Sequence, residues 1–312
     1  MKIIFCHYEP NQGLDEIQNQ IFTEVSGLPS YTRLRHEGSS SSKDPKLSRF
    51  ALTEEGRPLA YVIARESRSH TGRIYIFYPY TLPDCPPEAQ ERIFDELLEY
   101  IKKNKKSSEI ASAVIQRSKI AEKQLEFIRS KGFFEKERVY FYNVDYDVDE
   151  VSEWMVQGEA GYSSRPARSD DLEMLVDLCQ ADLKMGALFS DREACERHMR
   201  DRILQEGLTL LVFHEERLIA ATYMVRAKPG SYNLSGDEER VLMGFVATRL
   251  GFPDAWKLLL VEAARACRGA GWSDVPLRLR FYFFTRLPIA TYLADMRPEL
   301  EPFEVILEHR EK

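Results

Sequence analysis

Histidine and cysteine, which often act as general bases, nucleophiles and metal ligands, occur singly along this chain of 312 residues. They are His7, His36, His70, His198, His214 and His309, and Cys6, Cys85, Cys179, Cys195 and Cys267. Their positions form no Ser-His-Asp set, no CxxC pair and no cysteine and histidine pair at ligand spacing. The sequence therefore predicts no metal site and no disulfide framework. Backbone amides, carboxylates and tyrosines are the remaining groups that could do chemistry.

The composition is that of a soluble globular protein, with 44% hydrophobic and 30% charged residues. The formal net charge of -7 argues against a nucleic-acid-binding surface, which needs clustered lysine and arginine. The dense basic stretch Lys102 to Lys106 falls at a predicted helix end, where it complements the helix dipole. The apolar start MKIIFCHYEP is too short for a signal peptide, and no stretch reaches the roughly 18 apolar residues of a membrane span. We expect a cytoplasmic protein with no nucleic-acid or membrane partner.

One pattern occurs twice, at the spacing of a whole domain. EGRPLAYVIA, 55–64, and EERLIAATYM, 215–224, are each followed by an apolar strand, a loop with proline and a long helix. The offset is 160 (215 minus 55) in these segments and 167 (240 minus 73) at Arg73 and Arg240. A period this long indicates two copies of an ordinary domain, since solenoid repeats are much shorter. The length agrees, because each half is long enough to bury its own core.

Helical and strand-like apolar periods alternate in both halves. The first half is predicted to have strands at 3–7, 74–78, 110–115 and 139–144, a hairpin of 50–52 and 59–64, and helices at 14–25, 120–130 and after Pro86-Pro87. The second half is predicted to have helices at 170–181, 253–271 and 289–295, a hairpin at 208–225 and strands at 241–247, 277–283 and 303–308. A mostly antiparallel sheet with one strand-helix-strand crossover makes each half mixed α/β.

The segment between the halves is acidic and then contains glycine, and it has no sustained period over 145–161. We predict an N-terminal domain at 1–147, a linker at 148–161 and a C-terminal domain at 162–312. Each domain is expected to be a mostly antiparallel mixed sheet flanked by helices.

This order of elements resembles the GNAT superfamily of acyl-CoA-dependent N-acyltransferases, and the doubling resembles its tandem members. RPARSDDLEMLVDL, 165–178, is similar to the family's opening strand and helix. QLEFIRSKGFF, 124–134, is similar to its closing helix and strand, and the two hairpins also fit. The resemblance covers nearly the whole chain and implies two tandem GNAT-like domains, although none of these segments is catalytic.

The family's signature is a Q/R-x-x-G-x-G/A loop after the central strand, whose N–H groups hold the CoA pyrophosphate at a helix N-terminus. The first half has PYTLPDCPPEAQ, 79–90, at this place, without any glycine. Its prolines also remove N–H donors. The resemblance therefore implies a degenerate first copy, without a conventional grip on the pyrophosphate.

The second half keeps part of the signature in VATRLGFPDAWK, 246–257. Arg249 or Leu250 falls at the Q/R position, Gly251 is retained, and Ala255 falls near the last small position. The resemblance implies that these four residues bind acetyl-CoA, the expected co-substrate. An ordinary helix that begins at a proline after a loop is the alternative interpretation.

Acetyl transfer to an amine needs a neutral amine, a polarised thioester carbonyl and a proton for the departing thiolate. In the family, backbone N–H groups on the splayed central strand hold the carbonyl, which implies Phe245, Val246 and Ala247 here. The family's general acid is a tyrosine on the short helix before the last strands, which implies Tyr292 in IATYLADM. The first half has Phe127 at the comparable place, and a phenyl ring cannot donate a proton.

A general base is also needed, because an amine with a pKa near ~10 must lose a proton. Glu238 or Glu239, at the head of the central strand, could accept it, although both also fit a solvated turn. Tyr292 equally fits an amphipathic helix residue packed on a sheet. Trp256 and the leucines 258–260 are interpreted as core rather than as cofactor contacts.

Two functions follow from these residues. In the first, the C-terminal domain is an acetyl-CoA-dependent N-acetyltransferase whose acceptor is an amine-bearing small molecule or peptide. In the second, the chain is a non-catalytic doubled module that binds a ligand or protein and has lost its CoA grip in both halves. A longer acyl or aminoacyl donor also stays open, because donor length depends on the shape of a cavity.

Overall fold

A computed structural model of the chain describes residues 2–9, 13–30, 33, 36–37, 44–67, 70–105, 109–155, 161–186, 189, 191–204, 207–228, 238–249, 251–252, 255–284 and 299–309. The chain groups into two compact units. Unit 1 comprises Met1–Ser67, Gly72–Val139 and Pro302–Lys312, and unit 2 comprises Arg68–Thr71 and Tyr140–Glu301. The domain division at 1–147, 148–161 and 162–312 stays a prediction.

Strands and helices alternate along the chain, which confirms the predicted mixed α/β fold. The strands are β1 (Ile3–Cys6), β2 (Ser48–Thr53), β3 (Pro58–Glu66), β4 (Arg73–Ile76), β5 (Tyr80–Thr81), β6 (Glu109–Ile115), β7 (Phe133–Tyr146), β8 (Tyr162–Pro166), β9 (Leu208–His214), β10 (Arg217–Ala227), β11 (Arg240–Thr248), β12 (Leu277–Phe284) and β13 (Glu299–His309). The helices are α1 (Leu14–Ser26), α2 (Pro87–Asn104), α3 (Ala121–Ser130), α4 (Val148–Ser152), α5 (Leu172–Ala181), α6 (Leu183–Gly186), α7 (Arg192–His198) and α8 (Ala255–Gly269).

The sheet of unit 1 has the strand order β1-β2-β3-β4-β6-β13, and β5 also pairs with β3. The strands β4 and β6 are parallel and are connected by the long helix α2. The pairs β1/β2, β2/β3, β3/β4 and β6/β13 are antiparallel. Strand β13 pairs from Glu304 opposite Ile115 to Glu308 opposite Ala111. Unit 1 therefore includes most of β13, whose first three residues belong to unit 2.

The sheet of unit 2 has the strand order β8-β9-β10-β11-β12-β7. The strands β11 and β12 are parallel and are connected by α8, whereas β8/β9, β9/β10 and β10/β11 are antiparallel. At the β12/β7 edge, the Arg278 guanidinium donates to both oxygens of Asp145 at 2.6 and 2.7 Å. Each unit thus contains the predicted strand-helix-strand crossover within a mostly antiparallel sheet.

Helices cover both faces of each sheet because their apolar residues repeat at helical spacing. In unit 1, Ile93, Leu97 and Ile101 of α2 are fully buried on one face, and Phe22 of α1 is fully buried on the other. In unit 2, α8 covers one face and α5 with α7 covers the other. The interpretation of Trp256 and the leucines 258–260 of α8 as core is confirmed. The three leucines are buried in the hydrophobic core between α8 and the sheet, and the partly buried Trp256 packs against it.

Cross-strand registers confirm the sequence repeat. Ala60 pairs with Thr81 in unit 1, and Ala220 pairs with Thr248 in unit 2. These pairs have the offsets found in the sequence, 160 (220 minus 60) in the hairpin and 167 (248 minus 81) in the central strand. The two halves can therefore be compared position by position.

Both central strands carry one extra residue at the same place. The pairs that bracket it are Ala64↔Ile76 and Tyr61↔Tyr80 in unit 1, and Met224↔Met243 and Tyr223↔Phe245 in unit 2. Such a β-bulge bends the strand and often lies next to a functional site. The extra residue is Gly244 in unit 2, and the offset of 167 makes Phe77 its equivalent in unit 1.

Some elements differ from the prediction. The strand predicted at 74–78 ends at Ile76, and α6 and α7 were not predicted, because such short helices hardly complete two periods. The segment predicted as a linker contains α4, whose Val148 and Val151 are buried in the cluster around α8. The helix predicted at 289–295 lies outside the described residues.

Candidate functional site

The parallel strands β11 and β12 separate after a short ladder. The paired residues are Val241↔Leu277, Leu242↔Arg278 and Met243↔Leu279. Beyond Met243, β11 continues to Thr248 and β12 to Phe284, and no further pair joins them among the described residues. In open α/β sheets, ligands bind at the carboxyl ends of parallel strands. The gap between β11 and β12 is therefore the candidate site of unit 2.

The bulge residue Gly244 lies where this gap begins. Gly244 is half-buried, whereas Met243 and Phe245 on either side of it are buried. A Cβ atom at Gly244 would lie 3.6 Å from the Tyr223 ring, which is ordinary van der Waals contact. The missing side chain thus leaves part of the β11 surface uncovered beside the gap.

The direction of each β11 amide follows from one hydrogen bond. Arg249 donates its N–H to the Ile219 carbonyl of the neighbouring hairpin at 2.7 Å. In an antiparallel ladder the backbone groups of successive residues point to opposite sides, so Val246 and Thr248 point away from β10. Of the predicted carbonyl-binding residues, Val246 therefore presents its amide toward the gap, whereas Phe245 and Ala247 bond toward β10.

The turn after β11 is anchored on both sides. Besides its amide bond, Arg249 donates Nε–H to the Leu218 carbonyl at 3.1 Å. The Phe252 ring lies 5.5 Å from the His214 ring. Between these anchors, Gly251 has φ +94°, and no atom of the residues that the structure describes lies within 4 Å of the position that a Cβ would occupy. The turn thus has the left-handed backbone that favours glycine, together with open space on that side.

Helix α8 begins directly after this turn. Ala255 donates its N–H to the Phe252 carbonyl at 3.1 Å, and its side chain is buried. Ala255 therefore offers a ligand neither an exposed side chain nor a free N–H group. The N-terminus of α8, with its partial positive charge, comes four residues after Gly251 along the chain, and a glycine turn before a helix N-terminus suits an anion.

The two predicted bases are engaged in ion pairs at the other end of β11. Glu239 accepts from Arg226 at 3.0 and 3.2 Å, and Glu238 accepts from Arg240 at 2.6 Å. The hydrogen bond from Arg226 lowers the pKa of Glu239, which makes proton uptake at neutral pH less favourable. Val246 comes seven residues after Glu239, which corresponds to about 23 Å along an extended strand. The structure does not bring these glutamates to the gap.

Two further predicted residues, Leu250 and Tyr292, lie outside the described residues. Their roles stay predictions. Within the described residues, no group of three or more histidine, cysteine, aspartate or glutamate side chains is arranged to hold a metal ion. None of the helices described is both long and apolar enough to cross a bilayer.

The equivalent region of unit 1 is filled by aromatic side chains. Tyr61 and Tyr80 stack at 5.5 Å where unit 2 has the paired residues Ala221 and Ala247. Phe77, the equivalent of Gly244, is buried. Further rings close this packing, with Tyr78–Phe127 at 5.4 Å and Phe94–Phe127 at 5.3 Å. The Phe127 noted in the sequence therefore belongs to this aromatic packing.

The loop before α2 also differs from its equivalent in unit 2. Helix α2 begins at Pro87, and its N-cap residue Pro86 makes no side-chain capping bond. Neither proline has an N–H group, so the first helical turn lacks two donors that an anion would need. Asp84 in the same loop is paired with Arg57.

A buried polar network completes the filled face of unit 1, and the sequence did not predict it. Arg33 is fully buried and donates to Asn19 and Gln18, both at 2.6 Å. Glu37, also fully buried, lies 3.7 Å from Arg33 and accepts from the Tyr61 hydroxyl at 3.2 Å. Burial, followed by the charge of Glu37, raises the pKa of Tyr61 well above its ordinary value. These groups are paired mainly with one another inside the unit.

Solved structures with the same fold include GCN5-related N-acetyltransferases and a tandem GNAT protein. A GCN5-related N-acetyltransferase from Sphaerobacter thermophilus matches with a TM-score of 0.63 and 12% identity, over 98% of this chain and 95% of that chain. A tandem GNAT protein from the clavulanic acid biosynthesis pathway matches with a TM-score of 0.58 and 12% identity, over 98% of both chains. A glucosamine N-acetyltransferase region of a fungal β-N-acetylglucosaminidase matches with a TM-score of 0.65 and 12% identity, over 99% of this chain and 38% of that one.

These matches confirm the tandem GNAT fold that the sequence resemblance implied. No protein-family model matches the sequence, and the search of curated proteins gave no match. At 12% identity the likeness shows the fold alone.

Proposed function

We propose that the chain is an acyl-CoA-dependent N-acyltransferase whose active site is the gap between β11 and β12 of unit 2. The observation that carries this proposal is the combination of a separated parallel pair, a glycine bulge and an open glycine turn before a helix. Unit 1 has the same strand order and the same bulge, but aromatic rings fill the region of its bulge, and two prolines stand at the start of α2.

The residues around Gly251 fit the pyrophosphate of CoA. A side chain at Gly251 would fill the space that its open Cβ position leaves, and the α8 N-terminus favours negative charge. Arg249 has its Nε bound to Leu218, and its two terminal amino groups make no hydrogen bond within the described residues. Those two groups are available to an anion, so Arg249 and the turn at Gly251 would hold the phosphates.

Acetyl-CoA supplies an activated thioester whose carbonyl carbon accepts the amine. The amine nitrogen forms a bond to that carbon, the carbon–sulfur bond breaks, and the nitrogen loses one proton while the thiolate gains one. The Val246 amide, which points into the gap, would stabilise the negative charge that develops on the carbonyl oxygen. Tyr292 remains the proposed proton donor to the thiolate. Because Glu238 and Glu239 lie at the other end of β11, the general base would be another residue.

We further propose that the donor is acetyl-CoA and the acceptor an amine-bearing small molecule or peptide. The first part is supported by the family resemblance, since neighbours with this fold include N-acetyltransferases. The second part is supported by the same resemblance, because transfer to nitrogen needs an uncharged amine as the nucleophile.

Calorimetric titration with acetyl-CoA tests the proposal with two matched glycines. Gly251 (φ +94°) and Gly271 (φ +73°) flank α8, and neither has an atom within 4 Å of its Cβ position. Either change to alanine strains the backbone by about 1 kcal/mol. We expect Gly251→Ala to weaken acetyl-CoA binding about tenfold and Gly271→Ala to leave it within about twofold.

The contrary results are equally specific. Equal affinities for the two variants would show that the turn at Gly251 does not hold the cofactor. An unmodified protein that binds neither acetyl-CoA nor CoA at millimolar concentration would favour the doubled non-catalytic binding module instead.

A further inference from the structure

Asp182 links the end of α5 to the end of β11. Its carboxylate is buried and accepts three hydrogen bonds from two directions. One oxygen accepts the Met185 N–H at 3.0 Å, at the start of α6. The other accepts the Thr248 N–H at 2.9 Å and the Thr248 hydroxyl at 3.4 Å. One side chain therefore connects two segments that are 66 residues apart along the chain (248 minus 182).

The bond to Thr248 occupies an amide that the sheet does not use. Thr248 points away from β10, and the ladder between β11 and β12 has ended at Met243. Thr248 is half-buried, so without Asp182 its N–H would turn to water or another acceptor and would lose a hydrogen bond to a charged group, which is costly. Asp182 therefore determines the last backbone direction of β11 before the turn of Arg249 and Gly251.

Unit 1 ends the corresponding helix in a different way. Helix α1 stops at Gly27, which has φ +72° and donates its N–H to the Thr23 carbonyl at 3.1 Å. Helix α5 stops at Asp182, which has an extended backbone and a carboxylate. In unit 2, which has the open glycine turn before α8, this helix thus ends at a residue with a carboxylate. In unit 1, which has prolines before α2, it ends at a glycine.

We propose that Asp182 is a positioning residue for the acyl-CoA turn of unit 2. It holds the Thr248 amide so that Arg249 and Gly251 leave β11 in the orientation that receives the pyrophosphate. This role rests on the proposed function. Removal of the Asp182 charge should therefore weaken CoA binding. Simple electrostatics predicts the opposite, because removing a negative charge near an anion site would by itself strengthen anion binding.

A matched pair of substitutions separates the two effects. Asp171 and Asp182 lie at opposite ends of α5, and both are 3% exposed. Asp171 accepts from Arg165 at 2.7 Å through both oxygens and from the Arg168 N–H at 2.7 Å, away from the turn. Asparagine has a single acceptor oxygen, so either change to asparagine breaks one side of a buried network.

Calorimetry with CoA on the full chain gives the decisive comparison. We expect Asp182→Asn to bind CoA about tenfold more weakly, the effect of losing one hydrogen bond to a charged group. Asp171→Asn should bind CoA within about twofold of the unmodified protein, although it should lower the melting temperature about as much as Asp182→Asn does. The same or tighter CoA binding by Asp182→Asn would overturn the positioning role while leaving the proposed function intact.

Hydrogen exchange on the unmodified protein without ligand keeps the test independent of the variant's folding. The Thr248 amide should exchange much more slowly than the Gly251 amide, because Asp182 holds it. Equal exchange at the two positions would overturn the role of Asp182. A protein that shows this protection but fails to bind CoA would overturn the proposed function, and with it the role of Asp182 in CoA binding.

Discussion

The two halves of the chain have the same backbone arrangement around the central strand but very different side chains there. Both central strands carry the same bulge, and both are followed by a long helix that leads to a parallel strand. At the bulge, unit 2 has Gly244 where unit 1 has the buried Phe77. Beside it, unit 2 pairs Ala221 with Ala247, whereas unit 1 pairs Tyr61 with Tyr80.

The two regions therefore differ in side-chain volume and not in strand order. Burying a large apolar side chain stabilises a fold by about 1.5–3 kcal/mol. Unit 1 has used this region for its own core, with stacked rings and a buried polar network around Arg33. Unit 2 forgoes that stabilisation, and in return has an uncovered strand surface beside an open glycine turn.

The largest effect is expected when unit 1 is given the small residue of unit 2. Tyr80→Ala removes a buried ring that stacks on Tyr61, and we expect a loss of about 3–5 kcal/mol in the free energy of unfolding. Urea denaturation of the full chain measures it. CoA affinity should stay within about twofold, because Pro86 and Pro87 still remove the donors before α2. A second CoA site in Tyr80→Ala would show that side-chain volume alone separates the halves.

The reverse change fills unit 2. Gly244→Phe introduces the residue of unit 1 at the bulge, next to the Tyr223 ring. Overpacking of this kind costs about 1–3 kcal/mol, so we expect CoA binding to weaken by about tenfold to a hundredfold in calorimetry. Gly269→Phe is the control, since Gly269 is at the far end of α8 and has open space at its Cβ position. Unchanged affinity in Gly244→Phe would place the ligand elsewhere.

The smallest effect concerns carboxylates that each unit holds with basic residues. Burial alone would raise the pKa values of Glu109 in unit 1 and Asp145 in unit 2. Hydrogen bonds and charges from Arg73 and Lys136, and from Arg278 and Arg240, outweigh it and lower both.

A lowered folded-state pKa stabilises above the ordinary value, and the stabilisation is lost as the pH falls through the folded-state pKa. Glu109→Gln should therefore lower the free energy of unfolding by its full amount at neutral pH, and this loss should fade below pH 4.5. The loss caused by Asp145→Asn should fade below pH 3.8. Each should be about 1 kcal/mol or less for partly exposed pairs. Urea denaturation at several pH values measures both, and a destabilisation that persists at the lowest pH would point to packing instead of charge.

Much of the fold was predictable because the signals are local. Turn residues and alternating apolar residues define the hairpins, and helical spacing defines α1, α2 and α8. The repeat could be read at offsets of 160 and 167 because equivalent strands keep equivalent residues, and the registers of Ala60 and Ala220 confirm it.

The remaining features depend on non-local pairing, which sequence spacing does not encode. Strand β13 pairs with β6, and Asp182 binds Thr248, although neither pair is near in sequence. The bulge at Gly244 is visible only when both strands of the ladder are aligned. Glu238 and Glu239 were correctly placed at the head of β11, but their arginine partners could not be read from the sequence.

Hydrogen exchange of the full chain with and without CoA, combined with the binding stoichiometry, tests the central claim most directly. We predict one CoA per chain, with slower exchange at 244–252 and at the start of α8, and no change at 76–90 of unit 1. Two bound molecules, or slower exchange at 76–90, would contradict the assignment of the active site to unit 2.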